Sequence, residues 1–263
     1  MASRTKQKEE ARARRLAEEQ ARAEHARRER RLRMIGGVVL AALAVVAVAI
    51  AVSSGGGSAA TGLQKGPQQA KTVTTVSSLL SGIPQSGATI GSPTAPVTMT
   101  YYADLECPIC QDFTLHGGLT PLISNEVRQG KVKILYKAFE TATRDPSVFK
   151  TQQVAALAAG KQNHFWNYAE LFYHEQGPEG SGYATEPYLQ GLAKQIPGLN
   201  LTQWESDRND ATLATQVATD ESDGNKIGVS GTPTLVFTGP KGQSAIATAA
   251  TYSQLQQAIK KVA

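Results

Sequence analysis

Val97-Thr98-Met99-Thr100-Tyr101-Tyr102-Ala103-Asp104-Leu105-Glu106-Cys107-Pro108-Ile109-Cys110 decides how the rest of this chain folds. Its first seven residues are β-branched, aromatic or small and hold no helix breaker, which predicts a strand. Its last four place both of the chain's 2 cysteines three positions apart. From Asp112 to Val127 apolar residues recur at helical intervals (Phe113, Leu119, Leu122, Ile123, Val127), with Gly117, Gly118 and Pro121 implying a kink. The cysteine pair therefore stands where a strand hands over to a helix.

That position carries chemistry. Cys107 at the helix N-terminus meets exposed N–H groups and the positive end of the helix dipole, both of which favour a thiolate. Cys110, one turn further in, points at the same sulfur but is more enclosed, so it is suited to resolve a mixed disulfide. Pro108 fits the first helical turn, where a missing N–H removes no bond. Two other readings of the pair stand beside this one. A structural zinc site wants four ligands, and two cysteines with His116 nearby do not form a recognised set. A structural disulfide across so short a loop removes little unfolded-state entropy. Neither a metal nor a cofactor is expected.

Downstream, Lys131 to Phe139 reads as a second strand, and the strand–helix–strand order predicts a parallel pair with a right-handed crossover. Asp145 to Asn225 is helical throughout, with no strand signal. Thr234-Leu235-Val236-Phe237 and Ala245-Ile246-Ala247-Thr248 flank the turn Gly239-Pro240-Lys241-Gly242 and read as an antiparallel hairpin. A closing helix over Tyr252 to Val262 sets Leu255, Ile259 and Val262 on one face. The fold class is α/β.

Upstream of the decisive stretch the composition changes. The chain has 263 residues with 27 Lys/Arg and 22 Asp/Glu, but 12 of those cations and only 6 of the acids lie in residues 1–33. The net excess of +5 is thus an N-terminal property. The remainder lacks the basic stripe that phosphate binding requires, and no nucleic-acid partner is expected. Residues 1–33 read as a solvated, helical, charged arm, with a specific nucleic-acid or lipid contact as the other reading.

Met34 to Val52 is a run of 19 residues without a charged or polar side chain. As a helix it spans roughly 28 Å, close to the roughly 30 Å hydrocarbon thickness of a bilayer. A cleaved signal peptide is the alternative, and Ala49-Ile50-Ala51 offers a small-x-small cleavage pattern. The long charged segment ahead of it and the length of the apolar run favour an uncleaved transmembrane helix. Arginines precede this run while Ser53-Ser54-Gly55-Gly56-Gly57-Ser58 follows it, so the N-terminus is expected in the cytoplasm and the C-terminal domain outside. In that compartment a cysteine pair persists as a disulfide. Residues 53–70 read as a flexible linker, and 71–263 as the folded domain, with a short amphipathic segment over Thr72 to Leu80 and turns at Gly82-Ile83-Pro84-Gln85 and Gly91-Ser92-Pro93.

A second motif lies far from the first: Gly228-Val229-Ser230-Gly231-Thr232-Pro233-Thr234. A proline opening a strand sits where the ladder tolerates a missing N–H. Together with Asp104-Leu105-Glu106-Cys107-Pro108-Ile109-Cys110 and the helical block carrying Asn163-His164-Phe165-Trp166, it resembles the DsbA-like branch of the thioredoxin superfamily, from about Ser92 to Ala263. That resemblance implies a thioredoxin fold with a helical domain inserted at about 145–225. It implies a cis peptide bond before Pro233, beside the active disulfide, and backbone hydrogen bonds from Thr232 to an extended substrate. Cys107 and Cys110 are then the catalytic pair, and Pro108, Ile109, Thr232 and Pro233 the substrate-binding residues. Reduced or unfolded secreted proteins are the implied substrates, and a membrane-embedded quinone-linked protein the implied partner for reoxidation.

There are departures from the family pattern. Relatives place a buried acid six residues before the first cysteine, where this chain has Tyr101; Asp104 and Glu106 are the nearest acids and read as exposed turn residues. The intervening dipeptide is Pro-Ile where strongly oxidising members have Pro-His, which removes one donor to the thiolate. His164, Trp166 and Trp204 read as core or groove-lining residues. The expected activity is extracytoplasmic thiol:disulfide exchange, chiefly as an oxidase. A reductase or isomerase, or a non-catalytic anchored domain that holds extended peptides, are the alternatives.

Overall fold

The computed structural model describes residues 62–246 and 248–263. The charged arm, the apolar segment Met34 to Val52 and the first part of the linker lie outside the described residues; among the described residues no helix is long and apolar enough to cross a membrane.

Helix α1 spans Pro67–Leu80 and buries Thr72, Val76 and Leu80, a stripe at i, i+4 and i+8. It starts ahead of the amphipathic segment expected at Thr72. Pro67 opens its first turn, a site where proline's fixed φ is already helical, so residues 67–70 of the expected linker are helical.

A six-stranded mixed sheet forms the centre, in the order β1-β2-β4-β3-β5-β6. The strands are β1 Gln85–Ser86, β2 Thr89–Ile90, β3 Val97–Ala103, β4 Val132–Ala138, β5 Thr234–Gly239 and β6 Gly242–Ile246. β3 and β4 pair in parallel with Tyr101 opposite Tyr136, as the strand–helix–strand order predicted. β5 runs antiparallel on the other side of β3, with Leu235 opposite Tyr101. The expected hairpin forms, but both strands run up to the turn, so Gly239 pairs with Gly242 and only Pro240 and Lys241 stand outside the ladder. The edge hairpin β1–β2 was not expected, because strands of two residues carry no alternating pattern to read.

Past β3 the chain enters helix α2, Pro108–Leu115, which ends ahead of Gly117 and Gly118. A Cβ on Gly118 would lie 2.5 Å from the Ala250 carbonyl oxygen, to which the Gly118 N–H donates. The predicted kink is thus a full break, enforced by this close approach. The short helix α3, Leu119–Leu122, and a π-helical turn over Ile123–Val127 lead to β4.

Five helices fill the interval between β4 and β5: α4 Pro146–Gly160, α5 Phe165–His174, α6 Glu186–Ala193, α7 Leu201–Asp207 and α8 Ala211–Lys226. Asp145 caps α4 by accepting from the Ser147 and Val148 amides, and Asp210 caps α8 by accepting from Thr212. Trp166 and Trp204 are buried, donating their indole N–H groups to the Ala88 and Ala155 carbonyls. Burial of each contributes about 1.5–3 kcal/mol, and both side chains belong to the core, as expected. Helix α9, Tyr252–Val262, closes the sheet with a Thr251/Gln254 capping box and buries Leu255, Ala258 and Val262.

Candidate active site

β3 is buried at its C-terminal end, where Tyr101, Tyr102 and Ala103 are covered on both faces of the sheet. The chain leaves it through Asp104-Leu105-Glu106 and turns into α2 with Cys107 as N-cap. The helical insertion holds this crossing in place. Tyr173 on α5 donates its hydroxyl to the Asp104 carbonyl (3.3 Å), and Gln176 donates its amide to the Leu105 carbonyl (2.6 Å).

The Cys107 sulfur accepts the Cys110 backbone N–H at 3.3 Å and lies 3.4 Å from the Thr232 carbonyl oxygen, to which its thiol proton is donated. The thiol is held down to about 6 from its ordinary value near 9, first by a hydrogen bond from the Cys110 thiol. Burial opposes this, and the Thr232 side chain with the backbone amides of Cys110 and Ile109 reinforces it. Cys110 moves the other way: burial, then the neighbouring Cys107, raise its thiol well above the usual range. Both cysteines are free, with Cys107 5% exposed and Cys110 fully enclosed. Cys107 is a nearly buried thiol that ionises near neutrality, and Cys110 is a protonated reserve.

Thr232 and Pro233 stand against this pair, joined by a cis peptide bond. Pro108 and Ile109 lie on the exposed side, Ile109 being 53% exposed, and Ile227, at the end of α8, is 58% exposed. An open groove lined by Ile227, Val229, Ser230 and Val236 continues from the Thr232 loop. The structure brings the six residues singled out from the two motifs together, with Pro108 and Ile109 exposed, Thr232 partly exposed, and Cys107, Cys110 and Pro233 buried.

Asp104 and Glu106 are a correction. Both are buried, at 0% and 3% exposure, where exposed turn residues were expected. The Asp104 carboxylate accepts from the amides of Glu106, Thr141, Ala142 and Thr143 and from the Thr143 hydroxyl. Glu106 is bonded to the Gln152 amide on α4, and burial raises its carboxyl above the usual range. The usable signal was that an Asp following a strand often accepts the amide two residues on. The donors from 141–143 had none. Tyr101, in place of the family's buried acid, has its hydroxyl 3.5 Å from the Cys110 carbonyl and 3.4 Å from the Thr114 hydroxyl.

An acidic, largely buried thiol and a protonated partner at the start of a helix, facing a cis-proline loop on a sheet with a helical insertion, define a dithiol–disulfide site on a thioredoxin-type fold. A family model described as thioredoxin matches residues 85–261, and the chain belongs to that family.

Among solved structures, oxidised BdbD from Bacillus subtilis is similar at 22% identity, covering 69% of this chain and 96% of that one, with a TM-score of 0.58. DsbA2 from Pseudomonas aeruginosa matches at 21% identity, 68% and 95% coverage and a TM-score of 0.52. DsbA from Chlamydia trachomatis matches at 20% identity, 66% and 90% coverage and a TM-score of 0.56. These likenesses show a DsbA-like fold with its helical insertion. Among curated proteins, the Na(+)/H(+) antiporter NhaA 1 of Mycolicibacterium gilvum (strain PYR-GCK) is 28% identical over 157 residues, 57% of this chain and 23% of that protein. Its counterpart from Salinispora arenicola (strain CNS-205) is 29% identical over 150 residues, 57% of this chain and 21% of that protein. The chain thus spans less than a quarter of the length of these two curated relatives.

Proposed function

We propose that the protein is a thiol:disulfide oxidoreductase that oxidises other proteins through Cys107 and Cys110. The observation that carries this is the opposed acidity of the two thiols, about 6 for Cys107 and well above the usual range for Cys110.

In the oxidised enzyme a substrate thiolate attacks the Cys107 sulfur. The Cys107–Cys110 bond breaks, its electron pair leaves on Cys110, and Cys110 takes up a proton. A second substrate thiolate then attacks the substrate sulfur of the mixed disulfide and expels Cys107 as thiolate. The substrate has gained a disulfide, and the enzyme is left as a dithiol. Because Cys107 is stable as an anion, it is a good leaving group and the reduced enzyme is favoured, which supports the oxidising direction. The Pro-Ile dipeptide, lacking a side-chain donor, sets that strength below Pro-His relatives.

Ile109, Thr232 and Pro233 would receive the substrate chain beside the sulfur, with Pro108 shaping the approach. The proposal includes an anchor at Met34 to Val52, an extracytoplasmic catalytic domain acting on secreted or envelope proteins, and reoxidation by a quinone-linked membrane protein. The arginines before that apolar run and the Ser/Gly stretch after it support this orientation.

The test is a Cys110→Ser chain expressed in its own membrane. Proteins joined to Cys107 by reducible bonds should accumulate on non-reducing gels. Recovery of the variant with no attached protein overturns the exchange reading. Titration of Cys107/Cys110 against glutathione separates directions: a couple more reducing than the glutathione pool makes the protein a reductase.

A further inference from the structure

Leu105 and Cys107 are both buried, and the backbone between them is the last stretch before the reactive thiol caps α2. A single side chain reaches both of their carbonyls. Gln176, just past the end of α5, donates its amide to the Leu105 carbonyl at 2.6 Å and to the Cys107 carbonyl at 3.3 Å. The amide nitrogen carries two protons, so both bonds are made at once, and two carbonyl acceptors require the NH2 end of the side chain to face them. The turn that carries Gln176 is itself held. The Gln111 side chain on α2 donates to the Tyr173 carbonyl at 2.7 Å, and the Glu175 carboxylate accepts the Gln64 backbone N–H at 2.7 Å.

The two bonds carry different weight. The Cys107 carbonyl also accepts the Gln111 backbone N–H at 3.0 Å, whereas among the described residues the Leu105 carbonyl has no other donor. Without Gln176 the Leu105 carbonyl is a buried acceptor left unpaired, and the 105–106 peptide is driven to turn toward another partner. The Cys107 sulfur is sensitive to such a turn because both of its contacts lie on other segments. The Cys110 N–H at 3.3 Å belongs to α2, and the Thr232 carbonyl at 3.4 Å belongs to the cis-proline loop.

We propose that Gln176 is a positioning residue for the exchange reaction: reaching from the helical insertion, it holds the Leu105 and Cys107 carbonyls and so fixes the backbone that sets the Cys107 sulfur against the first turn of α2 and the Thr232 loop. This deepens the exchange reading above and rests on it. The Gln176 bonds go to backbone carbonyls and not to either sulfur, so its effect travels through the backbone. A displaced sulfur loses part of its bond from the Cys110 N–H, and the thiolate loses a charge-assisted donor at the helix N-terminus.

The experiment compares the full chain with Gln176→Met, Gln176→Asn and Gln111→Met. Methionine at 176 keeps the length and removes the donors, while asparagine keeps the amide but falls one methylene short. Gln111→Met unties α2 from α5 and leaves the Leu105 carbonyl bonded. The Cys107 thiolate is titrated by its ultraviolet absorbance, the dithiol–disulfide equilibrium is measured in glutathione buffers, and urea midpoints report the fold. Gln176→Met should weaken thiolate formation about three- to fivefold, a rise of about half a pH unit in the titration midpoint. It should move the glutathione equilibrium toward the disulfide by a similar factor. Gln176→Asn should shift both in the same direction by less, and it decides the matter should the methionine variant not fold. Gln111→Met should lower the urea midpoint and leave the Cys107 titration at the wild-type value. Gln176 variants that titrate like wild type, or a Gln111→Met protein whose thiol shifts as far as that of Gln176→Met, overturn the proposal. A wild-type chain that exchanges no disulfide with glutathione would defeat the parent reading instead, while the absorbance titration still decides the role of Gln176.

Discussion

Cys110 acts on Cys107 twice, through its backbone N–H at 3.3 Å from the sulfur and through its own thiol, which is the largest single influence lowering the Cys107 pKa. The second contact disappears when the resolving side chain is removed, while the first remains.

Cys110→Ala should therefore raise the Cys107 pKa from about 6 toward the ordinary thiol range, with Cys110→Ser between the two because a hydroxyl still donates. Rates of iodoacetamide alkylation against pH check this. Identical midpoints in Cys110→Ala and wild type would contradict it. Linkage gives a second readout. The folded thiol is more acidic than the unfolded one, so its stabilising contribution is present above about pH 9 and is lost as pH falls through about 6. The disulfide form lacks this group, so the melting temperature of the reduced protein should gain on that of the oxidised protein between pH 6 and pH 9.

Lys137 on β4 binds two acids of α8, Asp223 at 2.6 Å and Asp220 at 3.5 Å, and Asp220 also accepts the Ala138 amide. Burial raises Asp220 to about 6 despite that lysine. Its folded pKa exceeds its unfolded value, so its ionisation weakens the fold progressively as pH rises from about 4 to about 6. Lys137→Met leaves a buried carboxylate without its cation. The expected loss is on the order of 2 kcal/mol at pH 8, discounted for the partial exposure of the cluster, and clearly less at pH 5 where Asp220 is protonated. Urea midpoints at the two pH values check it, and equal losses at both would argue against the ion pair as the cause.

Much of the site was legible because it rests on local rules. The β-branched run 97–103, proline at the first turn of α2 and a strand-opening Pro233 each announce themselves within a few residues. What stayed hidden depends on contacts between distant segments. Asp104 reads as a polar turn residue until the 141–143 amides, 37 to 39 residues further on, are seen to converge on it. Glu106 is internal because Gln152 on α4 reaches it, a pairing no periodicity encodes. The start of α1 at Pro67 was obscured by a Gly, Gln and Ser-rich composition, and tertiary packing of Val76 and Leu80 overrode that weak local preference.

Glu170 on α5 is 1% exposed, and neither of its side-chain oxygens has a hydrogen-bond partner among the described residues. Burial alone pushes its carboxyl up to about 8. The folded protein therefore holds a proton there that the unfolded chain has lost, and stability falls as pH rises from about 4.5 to about 8. Glu170→Met, of similar shape, removes that dependence. It should stabilise the protein by on the order of 2–4 kcal/mol at pH 8, with much less gain at pH 5. Calorimetry at both values checks this, and a variant less stable than wild type at pH 8 would show that the carboxylate has a role in the fold.

Gly224 lies near the end of α8 with Phe139 packed against its Cα. A Cβ there would meet the Phe139 ring at 2.6 and 2.7 Å and the Tyr102 ring at 3.2 Å. Helix propensity favours Gly224→Ala by about 1 kcal/mol. The aromatic ring is hemmed in by Tyr102 and Val229 and has little room to retreat, so overpacking should win and the net change should be destabilising by about 1–2 kcal/mol. The effect should reach the sulfur as well. Phe139 donates its amide to the Ala103 carbonyl immediately before Asp104, and Val229 begins the loop that presents Thr232. Displacing that ring pushes on both segments flanking Cys107. Gly224→Ala should accordingly lower the denaturant midpoint and raise the Cys107 pKa together; a higher midpoint with unchanged thiol titration would mean that the ring yields freely and does not support the site.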